Sequence, residues 1–312
     1  MKIGINLSGI GTFNMGIGYN VQGDELMGIG WQKYLLRKEE VDEVVLFSPK
    51  TPFGPEIPFR DDMDVMIHFN PFLEVPNDVK NILYLQNAFP EHHWKEGTVG
   101  VFNESKSKYD GFIFTSKKLM EMCCEGVVVP FAADHEMFSP QYVTEGSYYQ
   151  VPVCFVGNDL RGEAINKKYL YPAIPFGLKL WGKSPWQPPL EEIRQGGLPL
   201  EDMPILYTNS KVCLNVHILE HNNAGTINGR IFEVALCGGF LISDSSWATK
   251  EIFGDSVVTT EGDEDLVNKL SYFLENEEER KKRGTEGRKI ALAAHTYEHR
   301  IEVVLDYIKE IL

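Results

Sequence analysis

Residues 153–168 read VCFVGNDLRGEAINKK. An apolar, strand-forming run ends in Gly157-Asn158, and a polar stretch with Arg161 and the Lys167-Lys168 pair follows. A buried strand that breaks at a glycine loop and resumes as a helix is one βα unit, and open α/β sheets bind ligands at the carboxyl ends of their strands. Outward from this unit, short β-rich runs alternate with amphipathic stretches in both directions, the pattern of parallel βαβ sheets with covered faces. Before it, strands are expected at Lys2–Leu7, Glu43–Phe47, Val65–Phe69, Asn81–Gln86, Gly111–Thr115 and Val127–Val129. From it onward they are expected at Val153–Gly157, Leu178–Gly182, Val212–Val216, Phe240–Ser243 and Ser256–Thr259. After Thr259 the pattern turns helical, over Asp263–Glu275, Glu277–Ala294 and Thr296–Ile311.

A chain of 312 residues exceeds one ordinary core and fits two α/β domains facing a cleft. Phe131–Gln150 carries Pro, Asp, Ser and Gly without periodicity, so the junction is placed there. The expected division is 1–148, 149–295 and a closing helix, 296–312, that packs back toward the first domain. Hydrophobic residues at 43% and charged ones at 24% supply two cores and exclude disorder. The net charge of −15 speaks against nucleic acid or an anionic membrane as partner, while leaving room for a local basic pocket that holds a phosphate. Five cysteines, including the Cys123-Cys124 pair, fit neither a disulfide framework nor a zinc site. The opening MKIGINLSGIG lacks the apolar stretch of a signal peptide, and no window approaches a membrane span. A cytoplasmic protein without a transmembrane segment is expected.

The densest chemistry lies in Ala224–Gly239, AGTINGRIFEVALCGG. A loop of small and polar residues opens directly into a helix carrying Arg230 and Glu233, so free amides and a cation can face an anion while a carboxylate lies one turn along. That suits a sugar nucleotide, with the diphosphate on the helix end and Arg230, and ribose hydroxyls on Glu233. An ordinary capped helix with an exposed Arg–Glu pair fits the same residues. Gly157, Asn158, Arg161 and Lys167 place cations at a strand end, though a solvated basic loop reads the same way. Trp181-Gly182 offers an aromatic face that can stack on a base or belong to the core.

Taken together with VPFAADHEMFSP at Val128–Pro140, LWGKSPW, LYTNSKVCLNVH, NGRIFEVALCGGFLISD and the closing HTYEHR, these stretches resemble the CgeB-like glycosyltransferases, which are related to glycosyltransferase family 4. The resemblance spans about Val128–Arg300 and implies the GT-B architecture of two Rossmann-like domains. It implies Gly157, Arg161 and Lys167 near the donor diphosphate, Trp181 and Gly182 near the base, and Glu233 on the ribose. It also implies Thr226, Asn228 and Arg230 along the pyrophosphate, and His217 facing the cleft. Two positions depart from the family pattern: Ala132 stands where glycine is usual, and Gly225 where family 4 enzymes often carry a second Glu. Hexose transfer from a nucleoside diphosphate to an unidentified acceptor is the function implied. No metal is strictly needed, because helix ends and basic side chains stabilise the leaving diphosphate.

On the acceptor side, the first strand leads into the loop Ser8–Gly23, with Asp24 and Glu25 beyond it. Asp24 suits a general base toward a hydroxyl or a helix cap. The stretch GIGTFNMGIG lacks the spacing of a dinucleotide fingerprint. In NAFPEHHWKEG, His93 beside His92 and Glu91 is the other candidate base. Asp62-Met63-Asp64 mimics a metal-binding Asp-x-Asp but precedes a strand and reads as a solvated turn. Two further readings stay open, a sugar-nucleotide epimerase of the same architecture and a non-catalytic nucleotide-binding module.

Overall fold

The computed structural model describes residues 1–10, 23–49, 55–159, 161–183 and 185–312. Six strands, β1 (Lys2–Asn6), β2 (Glu43–Phe47), β3 (Val65–His68), β4 (Lys80–Leu85), β5 (Gly111–Phe114) and β6 (Val127–Val128), form one sheet in the order β2-β1-β3-β4-β5-β6. Five more, β7 (Val153–Val156), β8 (Leu178–Trp181), β9 (Val212–Asn215), β10 (Leu241–Asp244) and β11 (Val257–Thr260), form a second in the order β11-β10-β9-β7-β8. Every pairing is parallel. Val, Ile, Leu and Phe fill these strands on both faces, as a sheet covered on both sides requires. All eleven expected strands are found, and no end shifts by more than one residue.

The first lobe carries helices α1 (Gly23–Leu35), α2 (Gly97–Ser105) and α3 (Lys117–Cys123). The second carries α4 (Glu163–Tyr169), α5 (Met203–Asn209), α6 (Leu219–Ala224), α7 (Gly229–Leu236), α8 (Trp247–Phe253), α9 (Asp263–Glu275) and α10 (Glu277–Ala294). The last helix, α11 (Tyr297–Ile311), follows the second lobe in sequence but packs in the first. Its Tyr297, Ile301, Val304, Leu305 and Ile308 join β1, β3 and α1 in one core cluster. Arg300 fixes the crossing: its guanidinium donates from Nε to the Pro130 carbonyl at 2.8 Å and from Nη2 to that of Phe131 at 3.2 Å. A capping box starts the helix, with the Thr296 hydroxyl 2.7 Å from His299 Nδ1.

The crossover between lobes is anchored by the buried Asp134. Its carboxylate accepts from Lys33 Nζ and the Tyr34 hydroxyl of α1, each at 2.7 Å, and from the Glu136 amide at 2.9 Å. Ala132 has no left-handed backbone, so an alanine is accommodated there without strain. Asp62 and Asp64 lie at the amino end of β3, tied to Lys2 and Arg60, so the Asp-x-Asp stretch is the solvated turn expected. Both sheets reverse their winding beside their first strand, since β2 and β3 flank β1 while β8 and β9 flank β7. Such switch points open crevices at the carboxyl ends of the strands.

Candidate functional site

The two crevices meet in one cavity of about 520 Å³, a volume suited to a ligand the size of a nucleotide. Its second-lobe wall begins at the ends of β7 and β8. A Cβ on Gly182 would stand 2.0 Å from the Gly157 carbonyl oxygen, so the two loops approach as closely as only glycine allows. Gly157, Asn158, Arg161, Trp181 and Gly182 all line the cavity, joined by Asn228, Arg230 and Glu233 from the start of α7.

The two guanidinium groups converge. Arg161 lies 5.1 Å and Arg230 4.9 Å from the ring centre of Phe155, a fully buried residue of β7. The ring's π face attracts both cations, although they repel each other. Arg161 donates from Nε to the Val216 carbonyl at 2.6 Å and from Nη1 to that of Asn158 at 3.0 Å. Arg230 donates from Nη1 to Asn215 Oδ1 at 3.0 Å. Burial and then the nearby Arg230 push the Arg161 pKa down to about 9, against the weaker pull of Asp244 and Asp159. Two half-buried cations that share one aromatic ring and have no bonded carboxylate form a site for an anion.

Helix α7 adds to this field. Its N-cap, Asn228, makes no side-chain cap and turns its amide to Asn215 Oδ1 at 3.1 Å and the Val216 carbonyl at 3.2 Å, so the first amides of the helix keep no side-chain acceptor. One turn on, burial drives the Glu233 pKa up to about 7, opposed by Arg230 and by a 3.3 Å hydrogen bond from the Tyr207 hydroxyl.

Asp24 completes the cleft from the first lobe. It sits half-buried in the first turn of α1 and accepts from the Ser8 amide at 2.8 Å and its neighbour's amide at 3.0 Å, so it both orders the turn and lines the cavity. The stretch GIGTFNMGIG falls mostly within residues 11–22, outside the described residues.

Four expected positions do not line the cavity. Lys167 is on the solvent side of α4, paired with Glu163 one turn back at 2.7 Å. His93 is exposed in the turn after β4, its ring 4.2 Å from that of His92, because Phe89 and Trp94 fold that turn onto Phe72. His217 is buried, with Nδ1 2.7 Å from Asp244 Oδ1, and braces the end of β9 rather than facing the cleft. Thr226 is fully buried at the seam between lobes, where its hydroxyl meets that of Thr115 at 3.0 Å. Trp181 is 1% exposed and packs edge-to-face on Tyr148, so its ring belongs to the core. A side chain has no room at Gly225: that residue is left-handed at φ 72°, and a Cβ there would meet the Trp247 ring at 2.3 Å.

Sequence reasoning missed Phe155, Asn215 and Tyr207, which hold the charged residues in place, and the first-lobe amides Asn70, Gln86 and Asn87. A polar Asn closing the apolar run of β9 was the one available signal. Among the described residues no group of three or more His, Cys, Asp or Glu is placed to hold a metal, and no helix is long and apolar enough to cross a membrane.

Residues 163–306 match a family model described as glycosyl transferase-like. No curated protein matches the chain. Among solved structures it is similar to sucrose-phosphate synthase from Thermosynechococcus elongatus, at 13% identity and TM-score 0.70 over 100% of this chain and 99% of that one. It is similar to Anabaena Alr3699/HepE in complex with UDP-glucose, at 11% identity and TM-score 0.69 over 98% and 99%. A third is AviGT4, a glycosyltransferase involved in avilamycin A biosynthesis, at 14% identity and TM-score 0.63 over 100% and 98%. The fold is therefore GT-B, and with the family match over its second lobe the chain is an enzyme of the glycosyltransferase class.

Proposed function

We propose that the chain transfers a sugar from a nucleoside diphosphate to an acceptor hydroxyl, with residues 149–295 holding the donor and residues 1–148 the acceptor, as in CgeB-like enzymes related to family 4. The observation that carries this reading is the pair Arg161 and Arg230, both packed against the ring of Phe155 and both lining the cavity where the lobes meet. UDP-glucose is the ligand in one similar structure, which makes a uridine nucleotide the first donor to test. In the reaction, the bond from the anomeric carbon to the diphosphate oxygen breaks and its electron pair leaves with the diphosphate. Arg161, Arg230 and the amino end of α7 lower the cost of that charge. The acceptor oxygen forms the new bond to the same carbon, and its proton passes to a base, for which Asp24 is the first-lobe candidate. Glu233, as a carboxylate, accepts from the ribose hydroxyls.

The test is calorimetric titration with UDP, GDP and ADP, followed by transfer assays. Wild type binds one of these nucleotides, and Arg230→Ala or Arg161→Ala weakens it by about tenfold or more, the loss expected for a charge-assisted hydrogen bond. Donor turnover persists in EDTA, since side chains and helix amides carry the leaving-group charge. Unchanged nucleotide affinity in both arginine variants removes the donor assignment. Conversion of the donor to an epimer without release of nucleotide replaces transfer with epimerisation.

A further inference from the structure

The walls of the cleft differ in charge. Arg161, Lys183 and Arg230 line the second-lobe side, whereas the described first-lobe residues lining it include no Lys, Arg or His. Residues 11–22 of the sequence contain no Lys, Arg or His either. Residues 50–54 hold one cation, Lys50, and follow β2, the edge strand of the sheet. The first-lobe wall presents instead one carboxylate, Asp24, and the amides of Asn70, Gln86 and Asn87. Among the described residues of that wall an anionic acceptor would meet no cation and one like charge.

The unpartnered groups point the same way. Gln86 is 6% exposed, and its Nε2 makes no hydrogen bond; across the cleft, Oδ1 of Asn158 is also buried without a partner. One is a donor and the other an acceptor. A phosphate or carboxylate can satisfy the first but not the second, whereas a hydroxyl donates and accepts.

Resting on the donor reading above, we infer that the acceptor is an uncharged saccharide, gripped through its hydroxyls by Gln86 and its neighbouring amides, and that phosphorylated acceptors are rejected. Gln86 is the specificity-determining residue of this wall.

The experiment uses the full chain saturated with whichever nucleoside diphosphate it binds. Saturation-transfer NMR then compares matched probes: glucose with glucose 6-phosphate, mannose with mannose 6-phosphate, and the neutral disaccharides maltose and cellobiose. At least one neutral sugar binds, its phosphorylated counterpart binds about tenfold more weakly, and Gln86→Ala weakens the neutral sugar by about tenfold while nucleotide affinity stays within error. Gln86→Lys, which adds a cation at the same position, shifts preference toward the phosphorylated probe. The inference is overturned if no neutral sugar binds, if the phosphorylated probes bind as well or better, or if Gln86→Ala binds the neutral sugar like wild type. A wild-type chain that binds none of UDP, GDP and ADP removes the donor reading and this inference with it, which separates the two failures.

Discussion

Glu233 is held in a conflict between burial and charge, and its consequences can be measured. A carboxyl whose folded pKa is raised from 4.5 to about 7 binds a proton that the unfolded chain has already released, so native stability falls as pH rises through that window and levels above it. Glu233→Gln removes the titration and keeps the shape. Thermal melts across pH will place the variant level with wild type near pH 4.5 and a few degrees above it near pH 8, while its nucleotide affinity is lower at the higher pH. Asn215 acts on the arginines differently, through geometry. Its Oδ1 receives both Arg230 and Asn228, and its Nδ2 donates to Ser243 Oγ at 3.0 Å. Asn215→Ala leaves Asn228 its bond to Val216 and Ser243 its bond to Asp244, so the fold survives while Arg230 loses its anchor. Nucleotide titrations on a double-mutant cycle will show the Asn215→Ala/Arg230→Ala chain binding no more weakly than Arg230→Ala alone, whereas additive losses would mean that Asn215 works by another route. At this scale the sequence was only half legible. Arg161, Arg230 and Glu233 announce themselves by type and by position after strands or helix starts. His217 and Thr226 misled because a polar side chain at a strand end or in a loop can serve the frame as well as the ligand, and only the neighbouring strand or the opposite lobe decides which.

The elements were far more legible than the side chains, because parallel strands covered on both faces are continuous apolar runs and the long helices α9 and α10 carry acidic first turns. What the pattern could not show was how close the elements come. Gly182 was expected near the base of the donor, and it stands where the end of β8 presses on the end of β7. Gly182→Ala places a methyl 2.0 Å from the Gly157 carbonyl, a backbone obstacle that no rotamer relieves. Denaturant melts should show a loss of about 1–3 kcal/mol, and nucleotide affinity should fall with it, since the same displacement moves Asn158 and Arg161. An alanine variant as stable as wild type would mean that the two loops separate without cost.

At the level of the whole molecule, the lobes are bound by exchange of material. Helix α11 supplies apolar side chains to the first core, and the seam near the cleft is closed by the hydroxyls of Thr115 and Thr226 and by Ser116 Oγ donating to the Ala224 carbonyl at 2.5 Å. Ile301 is fully buried in the first core, so Ile301→Ala should cost about 2–5 kcal/mol. Limited proteolysis of that variant is expected to cut first within residues 23–128, although the substitution lies far beyond them in sequence. First cuts in the second lobe would show that α11 is only loosely joined to β1 and β3. The closing helix was readable from its helical spacing, but the first-lobe wall of the cleft was not: Asn70, Gln86 and Asn87 follow different strands, and only the sheet order β1-β3-β4 makes neighbours of them.

The return of α11 also sets a schedule. On the ribosome the first six strands emerge early, but the helix that seals them is translated after the entire second lobe. Until residues 297–311 appear, Trp31 and the hydrophobic faces of β1 and β3 lack part of their cover, and the nascent first lobe must wait half-finished while its partner folds. The order in which this chain is made is the reverse of the order in which it can be completed.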